Sequence, residues 1–473
     1  MKRPSSLTEG SIGPTLLRFA LPILAGNVLQ SLNGSVNSIW VGRFLGEAAL
    51  TATSNANTVM YLLIGAGAGI AMAATILVAQ HIGAGELPEA KRVIGTGTTF
   101  FAAVSVLIAI TGVLLCRPLL HAMNTPPKSM DLSVAYMRVI FLALPFLYGY
   151  GFVMSILRGY GDSITPFRFM LLSVAIDIVL NPLLIFGLGP LPRLGIAGSA
   201  CATLVAQAVS LMALVAHLYR QNHALCLHAT ERGLLRVDWK LARILLLKGI
   251  PMGAQLLLFA LSGVLMISLV NRLGVELAAA YGGALQLWNY LQMPAVAMGM
   301  AVSSMAAQNV GAGLWERVSA VARVGVLYGV ALTAAIALTL ELLDIRVFGL
   351  FLPAGSEALG LVTHLNRIAT GSWVILSVTL VVFGVVRATE TVMIPLLITA
   401  VSLLGARYAL ASSLLDRYHA NAIWWSFPVS SALCSVLALL YYRYGGWRST
   451  KRAARLVALQ DEASASPTIR TQG

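Results

Sequence analysis

The chain has 473 residues, of which 58% are hydrophobic and only 11% are charged, and its formal net charge is +14 at pH 7. A water-soluble domain carries roughly 25% charged residues, so this composition excludes an ordinary soluble protein. The basic residues lie in short loops between apolar segments instead of forming one patch, which excludes a nucleic-acid-binding surface and favours a role as membrane topology signals.

Twelve apolar segments follow one another along the chain, each of a length that crosses a bilayer as a helix. Their hydrophobic residues run continuously and do not alternate, which favours helices over a membrane β-barrel. The sequence therefore predicts an all-α integral membrane protein with twelve transmembrane helices in two pseudo-symmetric six-helix bundles. The predicted spans are 15–38, 49–80, 93–116, 134–157, 164–187, 196–218, 243–270, 278–308, 320–343, 361–386, 393–415 and 422–442.

Lysine and arginine predict the orientation of these spans, because cytoplasmic loops are enriched in both. With the N-terminus inside, most of the basic residues fall on the cytoplasmic side, and an even number of spans returns the C-terminus there. The chain is thus predicted to lie in a bacterial inner (plasma) membrane as a multi-pass protein with both termini cytoplasmic. The predicted regions are an N-terminal bundle at 1–218, a cytoplasmic linker loop at 219–242, a C-terminal bundle at 243–446 and a disordered cytoplasmic tail at 447–473.

An internal repeat divides the chain into two halves. Pro22 and Pro251 are 229 residues apart, and the segment AQHIGAG at 79–85 returns as AQNVGAG at 307–313 with an offset of 228. Three further pairs share the offset of 229: Arg43 with Arg272, Arg158 with Arg387, and Pro166 with Pro395. Six spans separate the two copies, so both begin with the same orientation, as in many alternating-access transporters whose halves are parallel repeats.

Several stretches resemble the multidrug and toxic compound extrusion (MATE) family, over about residues 14–445. This resemblance implies twelve helices around a central cavity and export of organic cations driven by inward movement of H⁺ or Na⁺. It is closer to the DinF-like branch than to the NorM-like branch. The matching stretches are Leu21-Pro22 followed by Gln30, VGRFLG at 41–46, AQHIGAG at 79–85, LRGYGDSITP at 157–166, NPLLIFG at 181–187 and GIAGSA at 195–200.

The chain also departs from the family's usual acidic positions. Where the DinF-like branch has an aspartate in the first helix, this chain has Asn37, and the usual order of Asn then Asp in the fifth helix is reversed as Asp177 and Asn181. The stretches around Phe259 and Leu376 lack the acids that the NorM-like branch uses in helices 7 and 10. The resemblance therefore implies a rearranged proton site and leaves Na⁺ coupling as an alternative.

Asp177 is the main candidate for proton coupling. It lies in the middle of a predicted span, and intramembrane carboxyl groups are costly and usually functional. Asn181 is four residues further on and shares its helix face. The resemblance implies that Asn37 faces Asp177, which would give one acid and one amide in place of two acids. The alternative is that these groups only hydrogen-bond helices to one another.

Polar, aromatic and methionine residues at helical spacing suggest a substrate cavity. Such side chains suit varied organic cations, because they offer soft contacts and weakly directional bonds. The same residue types also pack membrane helices, so ordinary packing is the alternative. The predicted cavity residues are Asn27, Gln30 and Gly34 in the first helix, Gln255, Phe259 and Met266 in helix 7, and Gln286 and Asn289 in helix 8.

No catalytic or phosphate-binding motif is present, so the chain is predicted not to be an enzyme and to need no cofactor or metal. Its expected partners are small-molecule organic cations and the lipid bilayer, and we expect a monomer. The predicted function is secondary active multidrug efflux in antiport with H⁺. The alternatives are a lipid or lipid-precursor flippase and a Na⁺-coupled antiporter. The flippase is less favoured because Arg407 is the only base in the middle of a span.

Overall fold

The computed structural model describes residues 7–187, 192–342 and 357–449, and in these ranges it is helical without any strand. Eleven of the described helices are long and apolar enough to cross a membrane, which confirms the all-α membrane fold. The helices are α1 Ile12–Leu45, α2 Glu47–Gly83, α3 Leu87–Ala122, α4 Pro127–Tyr160, α5 Ile164–Phe186, α6 Ile196–Arg220, α7 Trp239–Asn271, α8 Val275–Leu291, α9 Met293–Gly311, α10 Trp315–Leu342, α11 Glu357–Arg387, α12 Met393–Ser413 and α13 Ala420–Tyr444.

The predicted eighth span, 278–308, is two helices in the structure. α8 ends at Leu291 and α9 begins at Met293, so Gln292 separates them. Pro294 occupies the first turn of α9, where its missing N–H has no partner to lose. With α8 and α9 counted as one interrupted span, the architecture agrees with the predicted twelve.

A second irregularity lies in α12, where residues Val401–Arg407 form a π-helix. π-helical turns inside α-helices are rare and occur often at functional sites. The single continuous span predicted at 393–415 did not include this wider turn.

The described residues divide into two compact units. Unit 1 comprises Leu17–Val78 and Leu87–Gly263, and unit 2 comprises residues 7–16, 79–86 and the described residues from 264 onwards. In unit 1, α4 packs against α3 and α6, and α5 packs against α6. In unit 2, α11 packs against α9, α10 and α13. The last turn of α2, from Ala79, thus belongs to unit 2, and α7 belongs to unit 1 as far as Gly263.

The repeated AQxxGAG motif ends α2 and α9 in the same way. Gly85 and Gly313 both have a φ of 74°, the left-handed conformation that glycine adopts without steric cost. Within unit 2 the two motifs also touch each other. A side-chain carbon at Gly83 would overlap the carbonyl oxygen of Gln308, and one at Gly311 would overlap that of Gln80. The motif is therefore a reciprocal close crossing of two helices.

The linker that was predicted as a loop at 219–242 carries a 3₁₀-helix, Ala229–Leu235, and α7 already begins at Trp239. Trp447, which was assigned to the disordered tail, is buried, and its indole N–H donates to the carbonyl of Tyr442 at 2.7 Å. A large apolar ring is more stable when packed than when exposed to water. The prediction that the disordered tail starts at residue 447 is therefore wrong for Trp447, which packs against the fold. The rest of the predicted tail, from residue 450, lies outside the described residues.

Candidate functional site

The Asp177 carboxylate lies in the middle of α5 and is the only buried carboxylate among the described side chains, with 2% of its surface exposed. Two amides of α1 donate to its Oδ2 atom: Asn33 Nδ2 at 2.8 Å and Asn37 Nδ2 at 2.9 Å. The Thr203 hydroxyl of α6 donates to its Oδ1 atom at 3.1 Å. Three helices of unit 1 therefore meet at one carboxylate.

Asn181 joins the same network through α1. Its Nδ2 atom donates to Asn37 Oδ1 at 2.7 Å, one helical turn below Asp177 on α5. Asn37 thus links both polar residues of α5, and the Asn37–Asp177 contact expected from the family resemblance is present as a hydrogen bond. The coupling role of these residues stays a prediction.

The partners of Asp177 decide which chemistry the site can perform. The two amides donate to Oδ2, whereas the Thr203 hydroxyl can donate to Oδ1 or accept from it, because its O–H also has the carbonyl of Ser199 as an acceptor at 3.4 Å. A protonated Asp177 adds a donor and needs an acceptor within reach. Asn33 Oδ1 and Asn181 Oδ1 are buried and have no hydrogen-bond partner. For a proton on Oδ1 the acceptor is the Thr203 hydroxyl once its own O–H turns to Ser199, and for a proton on Oδ2 it is an amide oxygen after rotation of an amide.

Sequence reasoning missed two members of the network and one neighbour. Asn33 is one turn before Asn37 on α1, a spacing that marks a shared face and was readable from the sequence. Thr203 is an uncharged residue of α6, and nothing in the sequence distinguishes it from other helix-packing hydroxyls. Tyr136 of α4 lies near Asp177, and nothing in the sequence around it marks it.

The structure does not bring the predicted cavity residues of unit 1 into the Asp177 network. On α1, Gln30 and Gly34 are exposed, and Asn27 is half-buried. On α7, Gln255 is buried and Phe259 is half-buried. Their assignment to a substrate cavity remains a prediction.

In unit 2, Met266 is 1% exposed and packs in the hydrophobic core with Tyr281, Trp288 and Phe427. The packing alternative therefore describes Met266 better than a cavity role, because a flexible thioether fills core gaps well. Gln286 and Asn289 of α8 are exposed. Asn289 accepts a hydrogen bond from Gln292, at the interruption between α8 and α9.

Arg407, the last residue of the π-helix, is buried in unit 2. Its Nε atom donates to Ser430 Oγ at 2.9 Å, and its guanidinium lies 4.5 Å from the centre of the Phe427 ring. Hydrogen bonding and a cation–π contact stabilise a desolvated guanidinium. The structure thus places Arg407 inside a packed aromatic cluster.

Comparison with known proteins shows which family the chain is similar to. The MatE family model matches the chain twice, at residues 22–183 and 251–411, and the second match begins 229 residues after the first. The probable multidrug resistance protein YoeA of Bacillus subtilis is 33% identical over 452 residues, covering 95% of this chain and 97% of that protein.

Two further comparisons concern a named substrate and the fold. A FAD transporter of Shewanella oneidensis is 28% identical over 319 residues, covering 67% of this chain and 69% of that protein. Among solved structures, one described as the outward-facing conformation of a multidrug resistance MATE family transporter superposes with a TM-score of 0.86. It is 19% identical and covers 98% of this chain and 99% of the other. The double family match confirms the internal repeat.

Proposed function

This chain belongs to the MATE family of multidrug transporters, and from that premise we propose that it exports organic cations or metabolites in antiport with H⁺ by alternating access. Asp177 is the proton carrier in this proposal. The observation that carries it is the buried carboxylate held by three donors from α1 and α6. An acid on the fifth helix with an amide partner on the first also favours the DinF-like branch.

The network links the proton to movement of α1. Asn33 and Asn37 lie on α1 and donate to the same carboxylate oxygen of α5. A proton on that oxygen removes its capacity to accept both bonds, which weakens the attachment of α1 to α5. Pro22, inside α1, interrupts the backbone hydrogen bonds of the helix and gives it a place to bend. Proton binding is thereby converted into a shift of α1.

The ligand atoms around Asp177 favour H⁺ over Na⁺ as the coupling ion. Hard cations require several oxygen ligands, whereas in the structure Asn33 and Asn37 both turn an amide N–H, and not an oxygen, towards Asp177. A proton needs only the carboxylate and one acceptor. The Na⁺ dependence of transport tests this choice.

The experiment is efflux of a fluorescent organic cation from proteoliposomes under an imposed pH gradient, with and without Na⁺. Wild type is compared with Asp177→Asn, which keeps the shape of the side chain but cannot carry the proton. The matched control is Asp131→Asn, whose carboxylate is 90% exposed. We expect gradient-driven efflux in wild type and in the control, independent of Na⁺, and at least a tenfold loss in Asp177→Asn.

Three outcomes would contradict parts of the proposal. Full activity of Asp177→Asn removes this residue from coupling. Activity that requires Na⁺ replaces H⁺ by Na⁺. If no cation is moved, the substrate class is wrong, and the same vesicles are then tested with FAD, because a relative is named a FAD transporter, and with a fluorescent lipid for the flippase alternative.

A further inference from the structure

A groove of about 480 Å³ lies on unit 1, away from Asp177. Pockets that bind small ligands have volumes of about 300–1,000 Å³. α3, α4 and α6 form its walls with apolar side chains such as Ile94, Ile156 and Val215, and Leu225 and Leu227 of the linker line one end, where the mouth lies. A predominantly apolar groove of this size accepts a hydrocarbon chain.

The linker end of the groove is held in place by specific contacts. Lys91 of α3 donates to both carboxylate oxygens of Glu231, at 2.8 and 2.9 Å. Thr99 of α3 donates to the carbonyl of Leu235 at 2.7 Å, and the Tyr219 hydroxyl donates to the carbonyl of Leu227 at 2.9 Å. The end of the groove is therefore a built surface and not a gap beside a loose loop.

The mouth of the groove is positively charged. Arg232 and His228 line it, and the exposed side chains of Arg220, Arg236 and Lys240 belong to the same segment. The two acids of residues 219–240 are both paired with cations of α3: Glu231 with Lys91, and Asp238 with Arg92 at 3.1 Å. Arg232, which lines the mouth, therefore has no acid of residues 219–240 left to pair with, and Arg220 and Arg236 add positive charge to the same segment.

This end of unit 1 also lies at the membrane surface. α6 ends at Arg220 and α7 begins at Trp239, so the groove's linker end lies where two membrane-spanning helices end, and we place it at the membrane surface. Trp239 is 77% exposed and Tyr219 is 49% exposed. Exposed tryptophan and tyrosine at helix ends are typical of the interface with lipid headgroups.

From the apolar groove, its cationic mouth and its interfacial depth we infer a binding site for an anionic phospholipid. One acyl chain occupies the groove between α3 and α6, and the phosphate lies at Arg232. Basic residues near a membrane surface attract anionic lipids, and the acyl chain adds the apolar contact that a free phosphate lacks. The site belongs to the leaflet on the linker side, which is the cytoplasmic one in the predicted topology.

The test is native mass spectrometry of the full chain, delipidated and then mixed with phosphatidylglycerol or phosphatidylcholine. We expect each wild-type chain to retain one more lipid molecule when it is mixed with phosphatidylglycerol than when it is mixed with phosphatidylcholine. Arg232→Gln is expected to weaken the preference for phosphatidylglycerol about fivefold, the effect of one charge near the surface. Val215→Trp fills the groove and is expected to remove retention of both lipids there.

Arg417→Gln, which removes an exposed arginine of unit 2, is the matched control and is expected to behave as wild type. Equal retention of the two lipids by wild type would overturn the inference, as would an unchanged preference in Arg232→Gln. Displacement of the lipid by free glycerol phosphate would show that the chain does not occupy the groove. The readout is lipid retention, so the result does not depend on whether the chain transports cations.

Discussion

The two copies of the repeat share the glycine crossing of α2 and α9 but differ in their buried charges. The positions 229 residues after Asn33 and Asn37 are Ser262 and Met266, and Asp177 corresponds to Gly405 or Ala406 at offsets of 228 or 229. At these positions the second copy thus has no acid–amide pair. Arg407 adjoins these positions, so the second copy buries a base where the first buries an acid.

The crossing of α2 and α9 shows the opposite behaviour, because both copies keep the same glycines in the same conformation. A close helix crossing needs a small residue on each side, so both copies are constrained. Proton binding needs one carboxylate, and a second buried carboxylate would add its own desolvation cost without adding a function. Duplication therefore preserves steric requirements in both copies and leaves the charged site in one.

The largest loss of stability is expected from substitutions at the crossing of α2 and α9, which both copies share. Gly83→Val and Gly311→Val each place side-chain atoms on the backbone of the opposite motif, and we expect each to destabilise the protein by about 3 kcal/mol, at the upper end for overpacking. Thermal unfolding in detergent measures this loss. Gly371→Val, in open space on α11, is the control. A loss in only one of the two glycine variants would show that the crossing is not reciprocal.

Exchange of residues between the copies tests the difference in charge. Asn37→Met gives the first copy the residue of the second and removes one donor from Asp177 and the acceptor of Asn181. We expect it to lower the free energy of unfolding by about 1–3 kcal/mol, because buried polar groups lose their partners. Proton-driven efflux is expected to fall about tenfold.

The reciprocal variant, Met266→Asn, places an amide in the apolar core of unit 2. It is expected to destabilise the protein by about 1–3 kcal/mol. The dependence of efflux on the pH gradient should not change. If both variants impair coupling equally, the second copy contributes to the proton site.

Substitution of Arg407, the buried base of unit 2, is expected to have a smaller effect on the free energy of unfolding. Arg407→Lys keeps the charge but loses the planar group that lies over Phe427 and donates to Ser430. We expect a loss of about 1–2 kcal/mol in the free energy of unfolding, measured by thermal shift, with unchanged proton coupling. Arg417→Lys, whose guanidinium is exposed over Tyr418, is the control and should differ little from wild type.

The sequence alone predicted the membrane helices and the repeat, because continuous apolar runs and a constant offset are properties of the chain itself. The interruption at Gln292 was missed because hydropathy averages over it, although Pro294 gave a local signal. The π-helix at 401–407 had no such signal, since its extra residue per turn leaves composition and hydropathy unchanged.

The candidate site was predictable only in part. Asp177 stood out because a carboxylate in an apolar span is rare, and the family resemblance supplied Asn37. On the first helix the sequence predicts Asn27, Gln30 and Gly34 as polar cavity residues, whereas Asn33, which it does not single out, reaches Asp177 together with Asn37. The sequence fixes which residues share a helix face but not which face meets α5. Thr203 was missed for the same reason, because its partner lies 26 residues away on another helix.

The smallest expected effect concerns the linker, which neither copy of the repeat contains. The hydrogen bond from Lys91, followed by that from the His228 backbone, lowers the pKa of Glu231 from its ordinary value of 4.5. A carboxyl with a lower pKa in the folded state stabilises the fold above the unfolded-state pKa, and this contribution is lost as the pH falls through the folded pKa. We expect Glu231→Gln to lower the free energy of unfolding by about 0.5–1 kcal/mol at pH 7. The difference from wild type is expected to shrink below pH 4.5.

The control is Glu89→Gln, which removes an exposed partner of Arg92 and should change the free energy of unfolding little at either pH. A difference between wild type and Glu231→Gln that stays constant with pH would assign the loss to packing of the linker and not to the ion pair.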